Sequence, residues 1–532
     1  MKKIPYGLQN FETLIMDNHY YVDKTKYIEV LENLNVRYPV FLRPRKFGKS
    51  LWVVMMNYYY DIRHKDKFEK LFGNLYIGKN PTPLRNSYYV LNFDFSGLTI
   101  RDERALFESF RNKVYSSIKL FATLYKMEHL MNDIIENSAP ADMLIKLFNG
   151  FQTLQLSNKI YIIIDEYDHF ANELVGFRIE SFKAIVSKTG FVRKFFETIK
   201  DGAKSVVDRI FITGVSPITL DSMMSEFNIA MNITLEPEFN SMLGFTKEEV
   251  LEMTKYYNCD EKIFEELQCC YDGYQFSTDA NVEKVFNSDK VLYFLTKYQS
   301  SKKSPQVIVD PNISSDYTKI QKLIELNPNY KNLLTEILNN EEISTTITCE
   351  FNLEREQIRD DFLSLMFYLG FLTIRRGNTV ETILSVPNYG MQVLYYDYFA
   401  NLLKLEKIDI PDVIKKMAYY GGITKLCEKI NEILKNLLNR DFIKFDEKHI
   451  KLVIITYILQ MPHQVYIVKS EYEVEGGYID IMLWCRYEEI KYELMIELKY
   501  LKKENTSEEI IAKKLSEARR QVERYCTAKE LS

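Results

Sequence analysis

Four nearly continuous apolar runs in the first half of the chain constrain its fold more than any other feature. They are YPVFL (38–42), YYVLNFDF (88–95), KIYIIID (159–165) and RIFITGV (209–215). Stretches of helical periodicity, such as 102–132 and 180–200, lie between them. Strands without a polar face are typical of a parallel sheet that helices cover on both sides. We therefore predict that residues 1–255 form an α/β domain around a parallel sheet.

The first apolar run leads directly into a phosphate-loop motif and an apolar helix. The loop reads Arg43-Pro44-Arg45-Lys46-Phe47-Gly48-Lys49-Ser50. The GxxxxGK[ST] pattern wraps backbone amides around phosphates, places a lysine on the β- and γ-oxygens, and places a hydroxyl on magnesium. Gly48, Lys49 and Ser50 fit this pattern, whereas Arg43 replaces its first glycine. A helix that follows a strand in this way offers its N-terminus to an anion, which predicts ATP as a bound nucleotide.

The third and fourth apolar runs end in polar residues that complete a nucleotide site. Asp165 would join Ser50 in the magnesium shell, and Glu166 would act on an attacking water. Thr213, at the end of the fourth run, would contact the γ-phosphate. A buried strand with an exposed acidic end is the alternative interpretation of Asp165 and Glu166. The order of the motifs favours a P-loop NTPase.

A second set of charged residues lies near the C-terminus. The run LMIELKY (494–500) predicts a strand from which Glu497 and Lys499 leave by one face. The run YIDIMLW (478–484) predicts a neighbouring strand that carries Asp480. Two carboxylates beside an ammonium group can hold a divalent cation and stabilise an adjacent phosphate. An exposed strand with a simple ion pair is the alternative.

The remaining pattern divides the chain into three predicted domains. Residues 256–440 are largely helical, with a buried helix running into a strand at 362–374 and a proline-marked passage at 304–312. From 441 onward the pattern is helix, three strands and a charged helix. These elements are predicted at 447–460, 465–471, 478–484, 491–499 and 507–527. The predicted boundaries are 1–255, 256–440 and 441–532.

Composition limits the functions that this chain can have. The net charge of −5 excludes a global basic field, so any nucleic-acid surface must be local. The candidate patches, which are also compatible with a solvated face, are Lys502, Lys503, Lys513, Lys514, Arg519 and Arg520. Seven cysteines without a CxxC pair indicate free thiols in a reducing compartment. Without a signal-like segment or a long apolar run, we predict a cytoplasmic protein with no membrane partner.

Seven ordered blocks resemble the AAA-ATPase-like family of bacterial proteins. They are IPYGLQNFETL (4–14), YYVDKTKYIEVL (20–31), FLRPRKFGKSL (41–51), IIIDEYDHF (162–170), FITGVSP (211–217), LGFTKEEV (243–250) and YDGYQFS (271–277). In that family an arginine at the position of Arg43 is normal. The resemblance leaves open whether Arg45 contacts phosphate or pairs with Asp23. It also leaves open whether the glycine-centred YDGY turn contacts nucleotide or is structural.

Members of this family commonly end in a PD-(D/E)XK nuclease domain, and the resemblance assigns roles at that end. Glu447 matches the acid of the first helix, Asp480 the strand acid, and Glu497 and Lys499 the signature pair. Gln521 and its companion Tyr525 match the following helix. Asp480 and Glu497 would hold Mg²⁺ or Mn²⁺ with the Leu498 carbonyl, Lys499 would act on water and charge, and Gln521 would position Lys499 or substrate. Related domains continue with a further strand and helix, so a core completed differently or a truncated sequence is expected.

The resulting prediction is an ATPase fused to a metal-dependent nuclease, with ATP binding or hydrolysis gating phosphodiester cleavage. The expected substrate is nucleic acid, with DNA favoured over RNA, and the expected biology is defence or mobile elements. The first alternative is a nucleotide-dependent switch whose nuclease-like domain is a non-catalytic binding or oligomerisation module. The second is a toxin-like nuclease that its NTPase restrains. Each of these is compatible with a homo-oligomer.

Overall fold

The computed structural model describes most of the chain. The described residues are 1–169, 190–218, 228–308, 321, 324, 329–349, 351, 359–378, 380–403, 405, 410–437, 446–461, 464–475, 477–501 and 506–528. They fall into two compact units. The first lies within Met1–Ser304, Asn312–Asn332 and Glu342–Asn388, and the second within Pro305–Pro311, Leu333–Glu341 and Tyr389–Ser532. The boundaries predicted at 255 and 440 stay predictions.

The α-helices are α1 (Phe11–Met16), α2 (Lys26–Asn33), α3 (Lys49–Tyr60), α4 (Phe68–Phe72), α5 (Tyr76–Lys79), α6 (Glu103–Leu124), α7 (Pro140–Thr153), α8 (Phe191–Gly202), α9 (Lys247–Tyr256), α10 (Glu261–Tyr271), α11 (Ser288–Ser301), α12 (Asn329–Asn340), α13 (Arg359–Tyr368), α14 (Tyr389–Leu402), α15 (Ile410–Tyr420), α16 (Thr424–Leu437), α17 (Glu447–Leu459) and α18 (Glu508–Tyr525). The strands are β1 (Pro39–Leu42), β2 (Tyr89–Asp94), β3 (Ile160–Asp165), β4 (Val207–Gly214), β5 (Met231–Asn232), β6 (Phe245–Thr246), β7 (Val285–Phe286), β8 (Glu342–Thr345), β9 (Thr373–Gly377), β10 (Thr382–Ser385), β11 (Tyr466–Val474), β12 (Gly477–Cys485) and β13 (Leu494–Ile496).

A five-stranded parallel sheet forms the core of the first unit. Its strand order is β2-β3-β4-β1-β5, and every pairing is parallel. All residues of β1 and β3 are buried, as expected for strands that helices cover on both faces. The four predicted apolar strands are therefore confirmed. The parallel arrangement brings the carboxyl ends of β1, β3 and β4 to one edge of the sheet.

The helical character predicted for the middle of the chain is accompanied by additional sheet. The described residues include a three-stranded antiparallel sheet of order β8-β10-β9 and a two-stranded pairing of β6 with β7. The predicted buried helix that runs into a strand is confirmed, because α13 is buried from Asp361 to Tyr368 and β9 follows it. The first part of the predicted helix at 180–200 and the end of the 304–312 passage lie outside the described residues.

The second unit contains the C-terminal sheet. Its three strands pair antiparallel in the order β11-β12-β13. Along the chain, these strands follow α17 and precede α18. The predicted order of helix, three strands and helix is confirmed. The third strand is shorter than expected, since β13 ends at Ile496 rather than at residue 499. None of the described helices is long and apolar enough to span a bilayer.

Candidate functional sites

The phosphate loop connects β1 to α3 and has the geometry of an anion nest. Gly48 immediately precedes α3 with φ +98°, and Lys46 also has a positive φ, of +71°. Within the part of the chain that the structure describes, the backbone N–H groups of Lys46, Phe47 and Gly48 donate to no acceptor. Consecutive unpaired N–H groups at a helix N-terminus favour an anion. The loop is therefore shaped for phosphate oxygens.

Lys49, the first residue of α3, holds its ammonium group inside this loop. Its Nζ donates to the carbonyl oxygens of Arg43 at 2.9 Å and Pro44 at 3.0 Å. Burial lowers the pKa of Lys49, and the nearby Asp165 and Glu166 carboxylates oppose that change. Because its bonds go to neutral carbonyl groups, this ammonium can exchange them for phosphate oxygens without leaving a carboxylate unpaired.

Arg43 does not lie where the phosphate-loop prediction placed it. Its guanidinium is buried and donates to the carbonyl oxygens of Leu42 at 2.8 Å, Thr234 at 2.9 Å and Phe239 at 2.7 Å. The rings of Phe41 and Phe276 lie 4.3 and 4.1 Å from its central carbon. Burial lowers the pKa of Arg43 to about 9. The expected phosphate contact is corrected to a structural role, since the side chain connects distant backbone segments instead.

For Arg45 the sequence allows two partners, a bound phosphate or Asp23, and the structure favours one of them. Both Asp23 oxygens accept other donors, with Oδ1 bonded to Thr25 and Oδ2 to the N–H of Tyr76 at 2.7 Å. Arg45 is half-buried and acts electrostatically on Lys49 and Glu166. This placement favours the loop interpretation of Arg45.

The acidic end of β3 faces the first residues of α3. Burial raises the pKa of Asp165 to about 6, although Lys49 and the nearby Ser50 hydroxyl oppose that rise. Glu166 has a left-handed backbone, with φ +51°, and its N–H donates to Asp165 Oδ1 at 2.9 Å. Its Oε2 lies 3.2 Å from Nδ1 of His169, whose hydrogen bond is the main reason that the pKa of Glu166 is lowered. The structure thus brings Lys49, Ser50, Asp165 and Glu166 together.

Thr213 and Asp168, near the ends of β4 and β3, make hydrogen bonds that the sequence did not predict. Thr213 is buried, and its hydroxyl donates to the Phe41 carbonyl at 2.7 Å, so its predicted phosphate contact would require breaking that bond. Asp168, to which sequence reasoning gave no role, accepts from the N–H groups of Val215 at 3.1 Å and Ser216 at 2.7 Å. A Cβ at Gly214 would lie 2.2 Å from Asp168 Oδ1. Asp168, the second aspartate of the DEYD block (165–168), therefore connects the loop after β3 to the TGVS block (213–216). The order and spacing of these two blocks in the sequence could have indicated this contact.

The YDGY block packs against the phosphate loop through aromatic rings. Phe47 meets Tyr274 edge to face at 5.0 Å and Phe276 at 5.4 Å. Gly273 has φ +98°, and a Cβ there would lie 2.0 Å from the Pro387 carbonyl oxygen. These contacts favour the structural interpretation of the glycine-centred turn.

The second site forms where β12 and β13 meet. The register pairs Ile481 with Ile496, so Asp480 lies opposite Glu497 one position further along. Asp480 Oδ2 accepts the N–H of Leu498 at 2.6 Å. This side-chain bond takes the place of a ladder bond, which explains why the strand ends before Glu497. The prediction that Glu497 and Lys499 lie within a strand is corrected accordingly.

Glu497 is a buried carboxylate with one oxygen engaged and one not. Its Oε1 accepts from Lys499 Nζ at 2.5 Å, whereas its buried Oε2 has no hydrogen-bond partner among the described residues. Burial raises the pKa of Glu497, and the neighbouring carboxylates of Asp480 and Glu447 add to that rise although Lys499 opposes it. A buried unpaired carboxylate oxygen is costly unless a cation or donor satisfies it.

The helices α17 and α18, which flank this sheet in sequence, carry the remaining expected residues. Glu447, the first residue of α17, accepts the N–H of Tyr500 at 3.2 Å through Oε2 and so lies beside the Glu497–Lys499 segment. Gln521 is half-buried on α18, one turn before Tyr525. A Cβ at Gly477 would lie 2.5 Å from the Tyr525 hydroxyl, so this tyrosine packs on the start of β12. The predicted contact of Gln521 with Lys499 or substrate stays a prediction.

The donors at both sites suit a hard divalent cation, although neither is a complete protein cage. Among the described residues, no group of three or more His, Cys, Asp or Glu side chains could hold a metal. The unpartnered Oε2 of Glu497 beside Asp480 fits a cation that also takes carbonyl or water oxygens, as Mg²⁺ does. The Ser50–Asp165 pair fits a magnesium that takes its other oxygens from phosphates.

The strand order, the nest before α3 and the acids at the end of β3 are those of a P-loop-like α/β domain. The second unit has the predicted order of helix, three strands and helix, with Asp480, Glu497 and Lys499 close together. The family comparison agrees. Residues 5–224 match the family model described as predicted AAA-ATPase, and residues 445–532 match the PD-(D/E)XK nuclease superfamily model. The chain therefore contains an AAA-ATPase-like domain in the first range and a PD-(D/E)XK nuclease superfamily domain in the second. No curated protein matches the chain.

Proposed function

We propose that this protein binds and hydrolyses a nucleoside triphosphate, ATP in the first instance, and that nucleotide binding or hydrolysis controls cleavage of nucleic acid by its C-terminal domain. DNA is the favoured substrate over RNA, and the cytoplasm is the proposed location. The observation that carries the nuclease assignment is the buried Oε2 of Glu497 opposite Asp480, which has no hydrogen-bond partner in the described part of the chain. The presence of domains from both families supports the combination.

At the nucleotide site each residue has a distinct proposed task. The nest of N–H groups would bind the β- and γ-phosphates, and Lys49 would exchange its two carbonyl partners for phosphate oxygens. Ser50 and Asp165 would hold Mg²⁺, which supplies charge neutralisation for the phosphates when bound. Glu166, whose lowered pKa keeps it ionised near neutral pH, would orient the attacking water and accept its proton. His169 holds that carboxylate in place.

At the nuclease site the lysine has an electrostatic task. Burial disfavours the charged form of Lys499, but the hydrogen bond that Lys499 donates to Glu497 and the nearby carboxylates more than offset this, so the pKa of Lys499 is raised. A lysine that stays protonated suits stabilisation of the negative charge that develops on the phosphate. Asp480 and Glu497 would hold Mg²⁺ or Mn²⁺, which lowers the pKa of a bound water and polarises the phosphate when present.

The first test is cleavage of labelled single- and double-stranded DNA and RNA by the full chain in Mg²⁺ or Mn²⁺. Lys499→Ala should lower the cleavage rate by at least about 100-fold, since one electrostatic group is worth that much in comparable sites. Lys491→Ala, which changes an exposed lysine just before β13, is the matched control and should cleave normally. Absence of cleavage with every substrate, from protein that binds nucleotide, would reject the nuclease assignment.

The second test addresses the nucleotide site and its control of cleavage. Lys49→Ala should abolish nucleotide binding in a folded protein. Lys247→Ala, which removes an exposed lysine that also begins a helix, should not change it. Cleavage by wild-type protein that rises with ATP, and no longer does so in Lys49→Ala, would support control by nucleotide. Unchanged nucleotide binding in Lys49→Ala would reject the site.

A regulatory switch is the second candidate function, and one observation favours it. Lys499 bonds directly to Glu497 at 2.5 Å, as in a structural ion pair, so the same geometry suits a non-catalytic module that binds a partner or another copy. In that case nucleotide binding would persist while cleavage would be absent in every metal. The cleavage assay therefore separates the two functions.

A further inference from the structure

The N-terminus of α11 contacts the phosphate loop at Lys46, the loop residue with a left-handed backbone. The Ser288 hydroxyl and the Asp289 N–H both donate to the Lys46 carbonyl oxygen at 3.3 Å. The Lys46 ammonium lies 3.5 Å from Asp289 Oδ2. One of the N–H groups that a helix leaves unpaired in its first turn is thereby satisfied by a loop carbonyl. Helix and loop thus hold each other through several polar contacts.

Asn287, the residue before α11, serves the helix and the loop at the same time. Its Oδ1 accepts the N–H of Lys290 at 3.2 Å, which caps the helix, while its Nδ2 donates to the Arg45 carbonyl oxygen at 3.4 Å. The side chain is buried, so neither end of the amide has water as a substitute partner. An asparagine is one of the few residues that can act as a helix cap and also donate a hydrogen bond.

These contacts determine which way the loop peptides face. In a planar trans peptide the carbonyl oxygen and the N–H of the next residue point in opposite directions. The carbonyl oxygens of Arg45 and Lys46 are drawn to residues 287–289, and that of Phe47 accepts the Gly244 N–H at 3.3 Å. The following N–H groups, those of Lys46, Phe47 and Gly48, are turned to the other side. They are the same N–H groups that form the nest.

The left-handed backbone of Lys46 indicates that this arrangement is imposed. A non-glycine residue with φ +71° is strained and persists only when its surroundings fix it. Ser288 and Asp289 supply that constraint through the Lys46 carbonyl and ammonium groups. We propose that Asn287, Ser288 and Asp289 are positioning residues of the nucleotide site, which hold the phosphate loop in its anion-binding form. This proposal rests on the proposed nucleotide binding.

Asn287→Asp separates the two tasks of the side chain. Aspartate caps a helix as well as asparagine does, but it cannot donate to the Arg45 carbonyl. We expect the Kd for Mg²⁺-ATP, measured by calorimetry with the full chain, to rise about fivefold or more, as the loss of roughly one hydrogen bond implies. The midpoint of urea unfolding should fall in Asn287→Asp, because the new carboxylate oxygen is buried against that carbonyl without a donor. Asn287→Ser, which also keeps a capping oxygen, should weaken binding similarly.

Asn10→Asp provides the matched control. Asn10 caps α1 by accepting the Thr13 N–H at 2.9 Å and makes no contact with the loop, so its replacement should leave the Kd unchanged. A wild-type protein that does not bind Mg²⁺-ATP would reject the proposed function itself. If wild type binds and both Asn287 variants bind equally well, the nucleotide site stands and the positioning role is rejected. Should Asn287→Asp fail to fold, Ser288→Ala gives the same comparison.

Discussion

Replacement of Gly273 by alanine tests whether the YDGY block is a structural turn, and the structure supplies an internal reference for its cost. Gly273 and Gly48 share a φ of +98°, so alanine suffers similar backbone strain at both positions. At Gly48 the new Cβ would meet only Ser288 Oγ, at 3.9 Å, whereas at Gly273 it would lie 2.0 Å from the Pro387 carbonyl oxygen. The comparison therefore isolates the steric contribution to the free energy of unfolding.

The strain alone should lower the free energy of unfolding of the first unit by about 1–2 kcal/mol in Gly48→Ala. In Gly273→Ala a backbone oxygen must also move by more than an ångström, which adds about 1–3 kcal/mol as in other overpacked sites. Urea unfolding followed by Trp52 fluorescence, in a Trp484→Phe background, measures the first unit, because the chain has only these two tryptophans. Equal destabilisation by the two alanines would refute the steric argument.

Two further predictions concern the acids after β3. Burial raises the folded-state pKa of Asp165 to about 6, above its unfolded value, so the folded state binds more protons between these values. As pH falls from 7 to 4, Asp165 should therefore add up to about 3 kcal/mol to the free energy of unfolding of the metal-free first unit. Urea unfolding at a series of pH values measures this gain, and Asp165→Asn should remove it. His169→Ala should lower kcat for ATP hydrolysis several-fold with KM unchanged, because Glu166 loses the bond that lowers its pKa. The acid limb of the pH–rate profile should then move to higher pH, and an unmoved limb would contradict the positioning of Glu166 by His169.

The sheet of the first unit could be predicted because its signal is local. The runs that became β1, β2, β3 and β4 are apolar at nearly every position, and a run of that kind has few alternatives. Two-residue strands such as β5, and the short β8 and β10, carry no periodicity long enough to detect. The early end of β13 was equally hidden, since it depends on the bond from Leu498 to the Asp480 side chain.

At the candidate sites, the sequence predicted which residues take part where the chemistry requires a particular residue type. It did not predict the direction in which each side chain points. The sequence motifs brought together Lys49, Ser50 and Asp165 because strand ends of a parallel sheet share an edge. Arg43 bonds to carbonyl groups 191 and 196 residues away, and no local pattern records such a contact. The role of Asn287 was hidden for the same reason, since its donor reaches a carbonyl 242 residues earlier.

The two candidate sites pair a buried carboxylate with a lysine but distribute the lysine's bonds differently. Among the described residues, Lys49 Nζ bonds only to carbonyl oxygens of its own loop, so phosphate can replace these bonds without disturbing Asp165. Lys499 bonds to Glu497 itself, yet it uses Oε1 and leaves Oε2 unpartnered among the described residues. Oε2 therefore stays open to a cation while the lysine keeps Oε1. Because such binding lowers a carboxylate pKa that burial has raised, Mg²⁺ uptake at either site should release protons at pH values where the metal-free carboxylate is still partly protonated.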